Sequence, residues 1–482
     1  MFAAEPIVEL LLTLGLILLA LSSLNLLALM LLRLLAPARR LRVDPPPREA
    51  LPSVLIQLPL FNEGELVDAL LAAILRLDWP KDRLQIQVLD DSTEDYSLSA
   101  SQQAVARLRR EGIQIELLHR IKRTAYKAGA LAAGLERSSA EYVAIFDADF
   151  APPPDFLMRT VGALVAQPEL AYVQARWDHL NREDSLLTRT QARLLDSHFK
   201  VEQEVRWRLG LPVPFNGTCG VWRRRAIEDA GGWQGDTLTE DLDLSLRARL
   251  RGWRSGFIRD LPVPGLLPVS VRAWRTQQFR WTKGFAQCFF KLMPRVWASP
   301  LLPRWQKLMI GFQLAQPLAF LVGATCVLLG LPFIAGAAIA GDLMRAVAVL
   351  TSILGFVIPI SFLAFAGTPT GIRATAIEVV SALFLTTGLL LSNARAGLEA
   401  LLGYRSPFVR TPKGAPETGQ RTLRWPNGLL ELGAGLGLLG FALIEQPVAA
   451  VYLLMVIGGL LGVGTLQVLD GRPLSKQLGT GS

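Results

Sequence analysis

The chain has 482 residues, 51% of them hydrophobic and 19% charged, with a net charge of +9. This length allows more than one domain, and the hydrophobic share is high for a water-soluble enzyme. The apolar residues concentrate in 1–36 and 305–470, which predicts a water-facing domain set in a membrane frame. The arginines lie beside the apolar segments, as in "ARRLR" at 38–42. The excess charge therefore indicates positive-inside loops and phosphate-rich substrates, and it argues against nucleic acid as a partner.

The chain begins with an apolar segment, 7–35, that is long enough to span a bilayer and too long for the core of a signal peptide. The basic residues that follow place its amino terminus outside and the next domain in the cytoplasm. We expect four regions: an N-terminal transmembrane helix in 1–44, a cytosolic domain in 45–270, interface helices in 271–305 and a C-terminal transmembrane region in 306–482.

The first part of the cytosolic domain alternates hydrophobic strands with helical patterns, and Lys127 opens one of the predicted helices, at 127–136. Strands are predicted at 51–65, 84–95, 113–119 and 141–150. This alternation predicts a parallel α/β sheet, whose ligands bind beyond the carboxyl ends of the strands. The sequence contains neither a dinucleotide-binding glycine motif nor a P-loop in this region.

Four aspartates lie at the carboxyl ends of predicted strands: Asp90 and Asp91 after the second, and Asp147 and Asp149 after the fourth. We expect them to converge on one crevice. Mg²⁺ or Mn²⁺ would explain the grouping, because these ions prefer oxygen ligands and bridge carboxylates to substrate phosphates. In an extended segment, Asp147 and Asp149 would share one face and could address the same ion.

A third group of carboxylates, Glu240, Asp241 and Asp243, follows Thr239 directly. Taken alone, this pattern is typical of a helix start, with Thr239 as the N-cap and the acids favoured by the helix dipole. A carboxylate can also take a proton from a hydroxyl group, so catalysis is the alternative. Residues 277–281 read Gln-Gln-Phe-Arg-Trp, and their Arg-Trp pair alone is typical of a membrane-interface anchor.

The last part of the chain has four segments apolar enough to span, at about 309–333, 346–366, 428–444 and 447–469. The segment 374–394 is ambiguous because it contains Glu378. If it spanned, the basic loop at 403–425 would lie outside, against the positive-inside rule. We therefore expect an interface helix at 374–394, five spans in total and a cytoplasmic carboxyl terminus.

Several stretches occur together in a fixed order: "QLPLFNE", "QVLDDSTED", "VQARWDHLN", "VEQEV", "FNGTCGVWR", "AGGW" and "QQFRWTKG". With this set, the chain resembles the membrane-embedded family 2 glycosyltransferases of the cellulose synthase superfamily. In particular it resembles the cellulose-synthase-like A group, the β-mannan and glucomannan synthases. The resemblance covers residues 50–295. It implies an α/β fold, in which a GT-A type cytosolic domain with a mixed, mainly parallel sheet is set in an α-helical transmembrane domain with interface helices.

The resemblance also implies a role for each motif. Asp241 is expected to be the catalytic base of an inverting displacement, with Asp149 and Asp147 at a metal ion, Mg²⁺ or Mn²⁺. The residues expected at the nucleotide-sugar donor are Asp91, Lys127, Asp147, Gln277 and Arg280. The residues expected at the acceptor are Trp281, Cys219 and Glu240. Asp243 is expected to be structural.

The stretch "FVRTPKG" at 408–414 is similar to the gating loop that closes over the donor in processive synthases. The residues expected to act in it are Phe408, Arg410, Thr411 and Lys413. A basic loop suits a diphosphate, but Arg410 stands where that loop has Val and Pro412 stiffens the segment. A solvated loop beside the membrane therefore stays an alternative.

These features favour a processive synthase that makes a β-linked glycan, mannan or glucan, from GDP-mannose or UDP-glucose and exports it. The alternative is transfer of one sugar to a membrane lipid such as diacylglycerol, ceramide or polyprenyl phosphate. A third hypothesis is a non-catalytic transporter or scaffold that keeps the fold. We expect an integral membrane protein of the bacterial inner membrane, or of the Golgi if the source is a plant. The sequence leaves a homo-oligomer open.

Overall fold

The computed structural model describes residues 5–335, 340–406, 409–411, 428–445 and 449–470. The strands in chain order are β1 Val54–Leu60, β2 Leu84–Asp90, β3 Ile115–His119, β4 Tyr142–Ile145, β5 Leu170–His179, β6 Gly220–Arg223 and β7 Arg254–Gly265. The helices from the start of the chain to the end of the sheet are α1 Glu5–Leu35, α2 Val67–Leu75, α3 Asp95–Arg110, α4 Tyr126–Glu136, α5 Phe156–Ala166, α6 Leu186–Ser197, α7 Glu204–Arg208, α8 Arg224–Asp229 and α9 Glu240–Leu250. The later helices are α10 Val271–Ala298, α11 Arg304–Ala315, α12 Ala319–Ile334, α13 Asp342–Ala366, α14 Ile372–Gly388, α15 Leu390–Leu401, α16 Leu429–Glu445 and α17 Ala449–Asp470.

The seven described strands form one sheet in the order β3-β2-β1-β4-β6-β5-β7. The first four strands pair in parallel, β6 runs antiparallel to both of its neighbours, and β7 is parallel to β5. This confirms the mixed, mainly parallel sheet and all four strands predicted in the first part of the domain. The carboxyl ends of β1, β2 and β4 meet at one edge, where a ligand crevice is expected.

The sheet is buried on both faces, which is why its strands are almost continuously apolar. Along β1, Val54, Ile56 and Leu58 belong to one buried cluster and Leu55 to another on the opposite face. The second cluster contains a group of stacked and edge-on aromatic rings around Trp222, which is completely buried. Rings of this size contribute much of the stability of a core because each buries a large apolar area.

Within the described residues, four helical segments are long and apolar enough to cross a membrane. They are Pro6–Leu35, Arg304–Ile334, Asp342–Ala366 and Leu453–Asp470. These segments fit an integral membrane protein and agree with four of the five spans expected. The remaining one, expected at 428–444, is a shorter apolar helix, Leu429–Ile444.

Two expected interface regions have a different form in the structure. The segment expected as one helix at 374–394 is two helices, α14 and α15, bent by 49° at a short break. Together they are long and apolar enough for a broken span or a re-entrant segment. The helices expected in 271–305 are instead one long helix, α10, which contains Pro294.

A buried ion pair joins helix α6 to helix α14. Nε of Arg193, on α6, lies 2.7 Å from Oε2 of Glu378, on α14, and both side chains are almost completely buried. Arg193 also donates to the main-chain carbonyls of Leu363 and Thr368 at the end of α13. Glu378 is thus paired with Arg193 of α6. The sequence pattern of 374–394 alone did not predict this ion pair.

The first prediction concerns this ion pair. Glu378→Ala leaves Arg193 buried without its carboxylate, which should cost about 3–5 kcal/mol of stability. Thermal unfolding of the full chain in lipid nanodiscs measures the loss. Glu183→Ala, whose side chain is 71% exposed, is the matched control and should change little. Equal effects of the two variants would contradict a structural role for the pair.

Candidate active site

The carboxylates at the start of α9 divide into two functions. Asp243 is fully buried and pairs with Arg247 and with Lys291 of α10, at 2.7 and 2.8 Å, so it is structural, as expected. Glu240 and Asp241 instead line a cavity at the carboxyl edge of the sheet. Thr239 occupies the N-cap position of α9 and the acids stand in its first turn, as the helix-start interpretation expects, but the Thr239 side chain accepts no capping hydrogen bond. A helix start alone does not explain why two of these acids line a cavity.

The first cavity has a volume of about 160 Å³ and brings together most of the residues singled out in the sequence. Its lining includes, of the expected residues, Asp91, Lys127, Asp147, Asp149, Glu240, Asp241, Gln277, Arg280, Trp281, Arg410 and Thr411. Three strand ends, α9, α10 and the segment 409–411 thus meet at one place. The convergence expected from strand-end chemistry is present for Asp91, Asp147 and Asp149.

Two expected residues lie elsewhere. Asp90 is fully buried beneath the crevice, and its carboxylate accepts the main-chain N–H of Ser92. Cys219 does not line the cavity: its side chain is completely buried in the core, and burial raises the pKa of its thiol well above the usual value. The structure therefore gives no support to the expected acceptor role of Cys219. Its main chain has a φ of 60°.

Asp147 and Asp149 lie in a tight turn, with the N–H of Phe150 donating to the carbonyl of Asp147. This corrects the extended segment expected here, although both side chains still line one cavity. The intervening Ala148 packs into the core. Within the described residues, no group of three or more His, Cys, Asp or Glu has metal-binding geometry. A cation held by these two carboxylates would therefore need further oxygen ligands from a substrate or from water.

Lys127 is the cation nearest to this turn. Its Nζ donates to Oδ1 of Asp147 at 2.5 Å and to the carbonyl of Gly217 at 2.9 Å. Burial lowers the pKa of Lys127, but the nearby carboxylates of Asp147 and Glu240 outweigh burial and raise it overall. The ammonium group stays charged and available to an anionic ligand.

Asp241 has a strongly shifted pKa in this site. Burial and the neighbouring carboxylate of Glu240 raise its pKa to about 7. A carboxylate with a pKa near neutral pH is suited to take up a proton in a reaction. A Cβ atom on Gly217 would lie only 2.9 Å from Oδ2 of Asp241. Because Gly217 has a φ of +79° and no side chain, Asp241 can approach the main chain there.

Helix α10 supplies the opposite wall of the cavity. Gln277, Arg280 and Trp281 lie three and four positions apart, which places them on one helical face. Gly284 continues this face and touches Thr239, since an added Cβ would lie 2.4 Å from Cγ2 of Thr239. The contact fixes the helix at the distance that brings Arg280 and Trp281 beside Asp241.

The strand-end acid Asp91 is held by residues that the sequence analysis did not single out. Arg120 donates to both of its carboxylate oxygens, at 2.9 and 2.5 Å. Arg123 stacks on the ring of Phe61, with its guanidinium carbon 3.3 Å from the ring centroid. The basic run "HRIKRTAYK" at 119–127 was the signal that could have identified these arginines.

The described part of the loop similar to a gating loop closes one side of the cavity. Arg410 donates to the carbonyl of Asn62 and lies 3.3 Å from Glu63 and 3.5 Å from Glu65. Thr411 is also buried and lines the cavity. Phe408 and Lys413 lie outside the described residues.

A second cavity, of about 290 Å³, adjoins the first. The two share residues that include Asn216, Asp241, Gln277 and Trp281. From there the second cavity extends to His198 and to Phe320, Thr386 and Leu389 of the membrane-side helices. Sequence reasoning missed Asn216 and His198, although both stand in or beside quoted motifs. Asp241 thus lies where a polar crevice meets a cavity that leads toward the membrane frame.

A family model described as "Glycosyl transferase family group 2" matches residues 142–385. The chain is 43% identical over 282 residues to "Glucomannan 4-beta-mannosyltransferase 1" of Oryza sativa subsp. japonica, covering 56% of this chain and 54% of that protein. It is 46% identical over 262 residues to "Glucomannan 4-beta-mannosyltransferase 2" of Arabidopsis thaliana, covering 54% and 49%. The chain spans about half the length of the curated relatives it matches.

One solved structure is similar over most of the chain. It is the mannosyltransferase PcManGT from Pyrobaculum calidifontis in complex with GDP-Man and Mn²⁺. The TM-score is 0.55 at 22% identity, covering 80% of this chain and 99% of that chain. This likeness confirms the GT-A type α/β fold.

The second prediction concerns the cost of holding Asp241 here. Its folded pKa of about 7 lies above its usual value of 3.8. The folded protein therefore keeps a proton that the unfolded chain releases, and stability falls as the pH rises from about 4 to about 7. Asp241→Asn removes this dependence, so its melting temperature should exceed that of the wild type by a few degrees at pH 8 and by less at pH 5.

Differential scanning fluorimetry of the full chain at both pH values measures this difference. Asp236→Asn, at an exposed position, is the control and should show no such pH dependence. An Asp241→Asn effect that is the same at pH 5 and pH 8 would contradict the raised pKa.

Proposed function

Since the chain belongs to Glycosyl transferase family group 2, we propose that it transfers a hexose from a nucleotide sugar to the end of a β-linked glycan. The observation that carries the proposal is the position of Asp241 between two adjoining cavities. One cavity has the charges to bind a nucleoside diphosphate, and the other leads to aromatic and polar side chains. A transfer reaction needs a base at the junction of two such sites.

We assign the donor to the first cavity. Lys127 and Arg280 are cations suited to a diphosphate, and the Arg123–Phe61 pair and Asp91 form a planar, polar end for the nucleoside. GDP-mannose is the donor that we favour over UDP-glucose, because the curated relatives are named as glucomannan mannosyltransferases. The similar structure PcManGT also holds GDP-Man.

A divalent ion, Mg²⁺ or Mn²⁺, fits the carboxylate oxygens of Asp149 and Asp147 at the edge of this cavity. PcManGT contains Mn²⁺ with its donor, which agrees with this assignment. When bound, such an ion neutralises charge on the diphosphate. Arg280, on the opposite wall of the same cavity, stabilises the charge that grows on the departing nucleoside diphosphate.

The reaction that we propose is a single inverting displacement. Asp241 takes the proton from an acceptor hydroxyl while the oxygen forms a bond to the anomeric carbon of the donor sugar. The bond from that carbon to the phosphate oxygen breaks, and its electron pair leaves with the nucleoside diphosphate. Burial, together with the neighbouring carboxylate of Glu240, keeps the pKa of Asp241 high enough for this task. Lys127 stays paired with Asp147 and holds the donor side of the cavity together.

We assign the acceptor to the second cavity, with Trp281 offering a flat apolar face to a pyranose ring. The polar side chains Gln277, Gln278, Asn216 and His198 in its lining suit a glycan, whose hydroxyl groups need hydrogen-bond partners. The second candidate is transfer of one sugar to a membrane lipid. It is favoured by the apolar residues of the same lining, such as Leu194, Phe320 and Leu389.

The membrane-side extension of the second cavity supports export of the growing glycan through the helical frame. We propose a cytosolic catalytic domain, in line with the basic segment after α1. The curated relatives named above are plant proteins. They give no support to the bacterial inner membrane, and the Golgi is the compartment that fits them.

The third prediction tests the function directly. Full-length protein in lipid vesicles receives radiolabelled GDP-mannose or UDP-glucose with Mn²⁺, and the products are separated by solvent extraction. We expect insoluble label from GDP-mannose that a β-mannanase degrades, and a loss of about 10²- to 10⁴-fold in Asp241→Asn. Label in the organic phase would show a glycolipid synthase instead. No transfer by the wild type from either donor, or an unchanged rate in Asp241→Asn, would contradict the proposal.

The fourth prediction concerns pH. Asp241 must be ionised to accept a proton, so kcat/KM should rise with pH along a limb near pH 7. Glu240→Gln removes a neighbouring negative charge and should move this limb to lower pH by about one unit. Rate measurements from pH 5 to pH 9 on both proteins test this. A limb that stays in place would show that Glu240 does not set the pKa of the base.

A further inference from the structure

A π-helix, His198–Gln203, lies between α6 and α7, and its first residue lines the second cavity. Such segments have i→i+5 hydrogen bonds, are rare, and occur frequently at functional sites. Its first and last side chains both reach the same residue, Asn216. Nε2 of His198 lies 3.1 Å from Nδ2 of Asn216, and Nε2 of Gln203 donates to Oδ1 of Asn216. The irregular turn therefore directs two side chains five positions apart at one amide group.

The hydrogen-bond roles of the two ring nitrogens of His198 follow from their partners. Nδ1 of His198 lies 2.9 Å from Oε2 of Glu202. Burial raises the pKa of Glu202, but His198 and Arg206 outweigh burial and lower it to about 2. The ionised carboxylate only accepts hydrogen bonds, so Nδ1 of His198 donates to it. Nε2 of His198 faces two amide nitrogens, Nδ2 of Asn216 at 3.1 Å and Nε2 of Gln203 at 2.9 Å, and accepts from them.

The amide of Asn216 is thus fixed at both ends, its nitrogen by His198 and its oxygen by Gln203. Each of these bonds uses half of its capacity, because an amide nitrogen has two hydrogens and an amide oxygen two lone pairs. Gln203 is completely buried, while Asn216 lines both cavities. The amide therefore offers one further donor and one further acceptor where the cavities join.

The position of Asn216 relates it to the reacting groups. The next residue, Gly217, has the carbonyl that accepts from Lys127, and the carboxylate of Asp241 packs against its Cα. Trp281 lines the same two cavities. A sugar ring resting on Trp281 with one hydroxyl facing Asp241 would thus have a neighbouring hydroxyl near Asn216.

We propose that Asn216 binds a hydroxyl of the acceptor's terminal sugar, beside the hydroxyl that reacts, and that His198 is a positioning residue that sets the orientation of this amide. The inference rests on the proposed function and names the residue that places the acceptor. An amide that both donates and accepts matches a sugar hydroxyl, which does the same. Glu202 supports the arrangement from below, and its other oxygen accepts from Arg206 and Gln313.

Saccharide binding tests the inference without catalysis. Full-length protein in lipid nanodiscs, with GDP and Mn²⁺ present, is titrated with mannohexaose in a calorimeter. Asn216→Ala should weaken binding about tenfold, the effect of one hydrogen bond. His119→Ala is the matched control, since its ring contacts the carbonyl of Asp90 and lines neither cavity. The inference is overturned if the wild type does not bind mannohexaose, or if Asn216→Ala binds it as the wild type does.

A double-mutant cycle tests the positioning role of His198. If His198 acts through Asn216, then His198→Ala weakens binding, and the double variant binds no more weakly than Asn216→Ala alone. Losses that add would show that His198 acts independently of the amide. Melting temperatures of all variants identify any that fail to fold, and Asn216→Ala, which leaves His198 and Glu202 paired, keeps the test available.

Kinetics separate this inference from the proposed function. In the transfer assay, Asn216→Ala should raise the KM for the saccharide about tenfold. Release of GDP from GDP-mannose to water should stay within about twofold of the wild type. Equal loss of both activities would place Asn216 in donor chemistry and overturn the inference. A wild type that binds mannohexaose but transfers no mannose would contradict the proposed function, while the binding result would still stand.

Discussion

The site depends on one close contact, between Gly284 of α10 and Thr239 at the start of α9. A Cβ on Gly284 would come within 2.4 Å of the Thr239 side chain, a distance that no larger residue tolerates without displacing a helix. The contact sets α10 against α9, and with it the face that carries Arg280 and Trp281. The other side of α10 is tied to the membrane frame, through Lys283 to Glu399 and through Arg275 to Glu431. The start of α9, the cavity face of α10 and the membrane-side helices α15 and α16 are therefore held in fixed positions relative to one another.

This arrangement brings two carboxylates into a partly buried site, which costs folding free energy. Glu240 and Asp241 lie together in a partly buried crevice, and the pKa values of both are raised by burial. Lys127 and Arg280 offset part of this cost and in turn leave a cationic surface for an anionic ligand. Groups with displaced pKa values in a cleft are typical of catalytic sites. The burial that makes these carboxylates costly to the fold also raises their pKa values, which the proposed chemistry uses.

The sequence predicted the features that follow from periodicity and from strand-end chemistry. Apolar runs identified the first four strands, β1 to β4, and the acids after β2 and β4 identified one edge of the sheet. It could not predict that the side chain of Cys219 is buried in the core. In a turn that contains glycines, the direction of a side chain depends on local φ angles, which the sequence does not show. Nor could it predict Glu378 as an interdomain partner, because Arg193 lies far away in the sequence. The π-helix at His198 also gave no signal in the sequence.

The most direct test of the account is an electron cryo-microscopy map of the full chain in nanodiscs with GDP, Mn²⁺ and mannohexaose. The account predicts the diphosphate and an ion at Asp147 and Asp149, and the terminal sugar on Trp281 with a hydroxyl within hydrogen-bond distance of Asp241. Saccharide density away from the second cavity, or a diphosphate that does not reach Lys127 and Arg280, would contradict it.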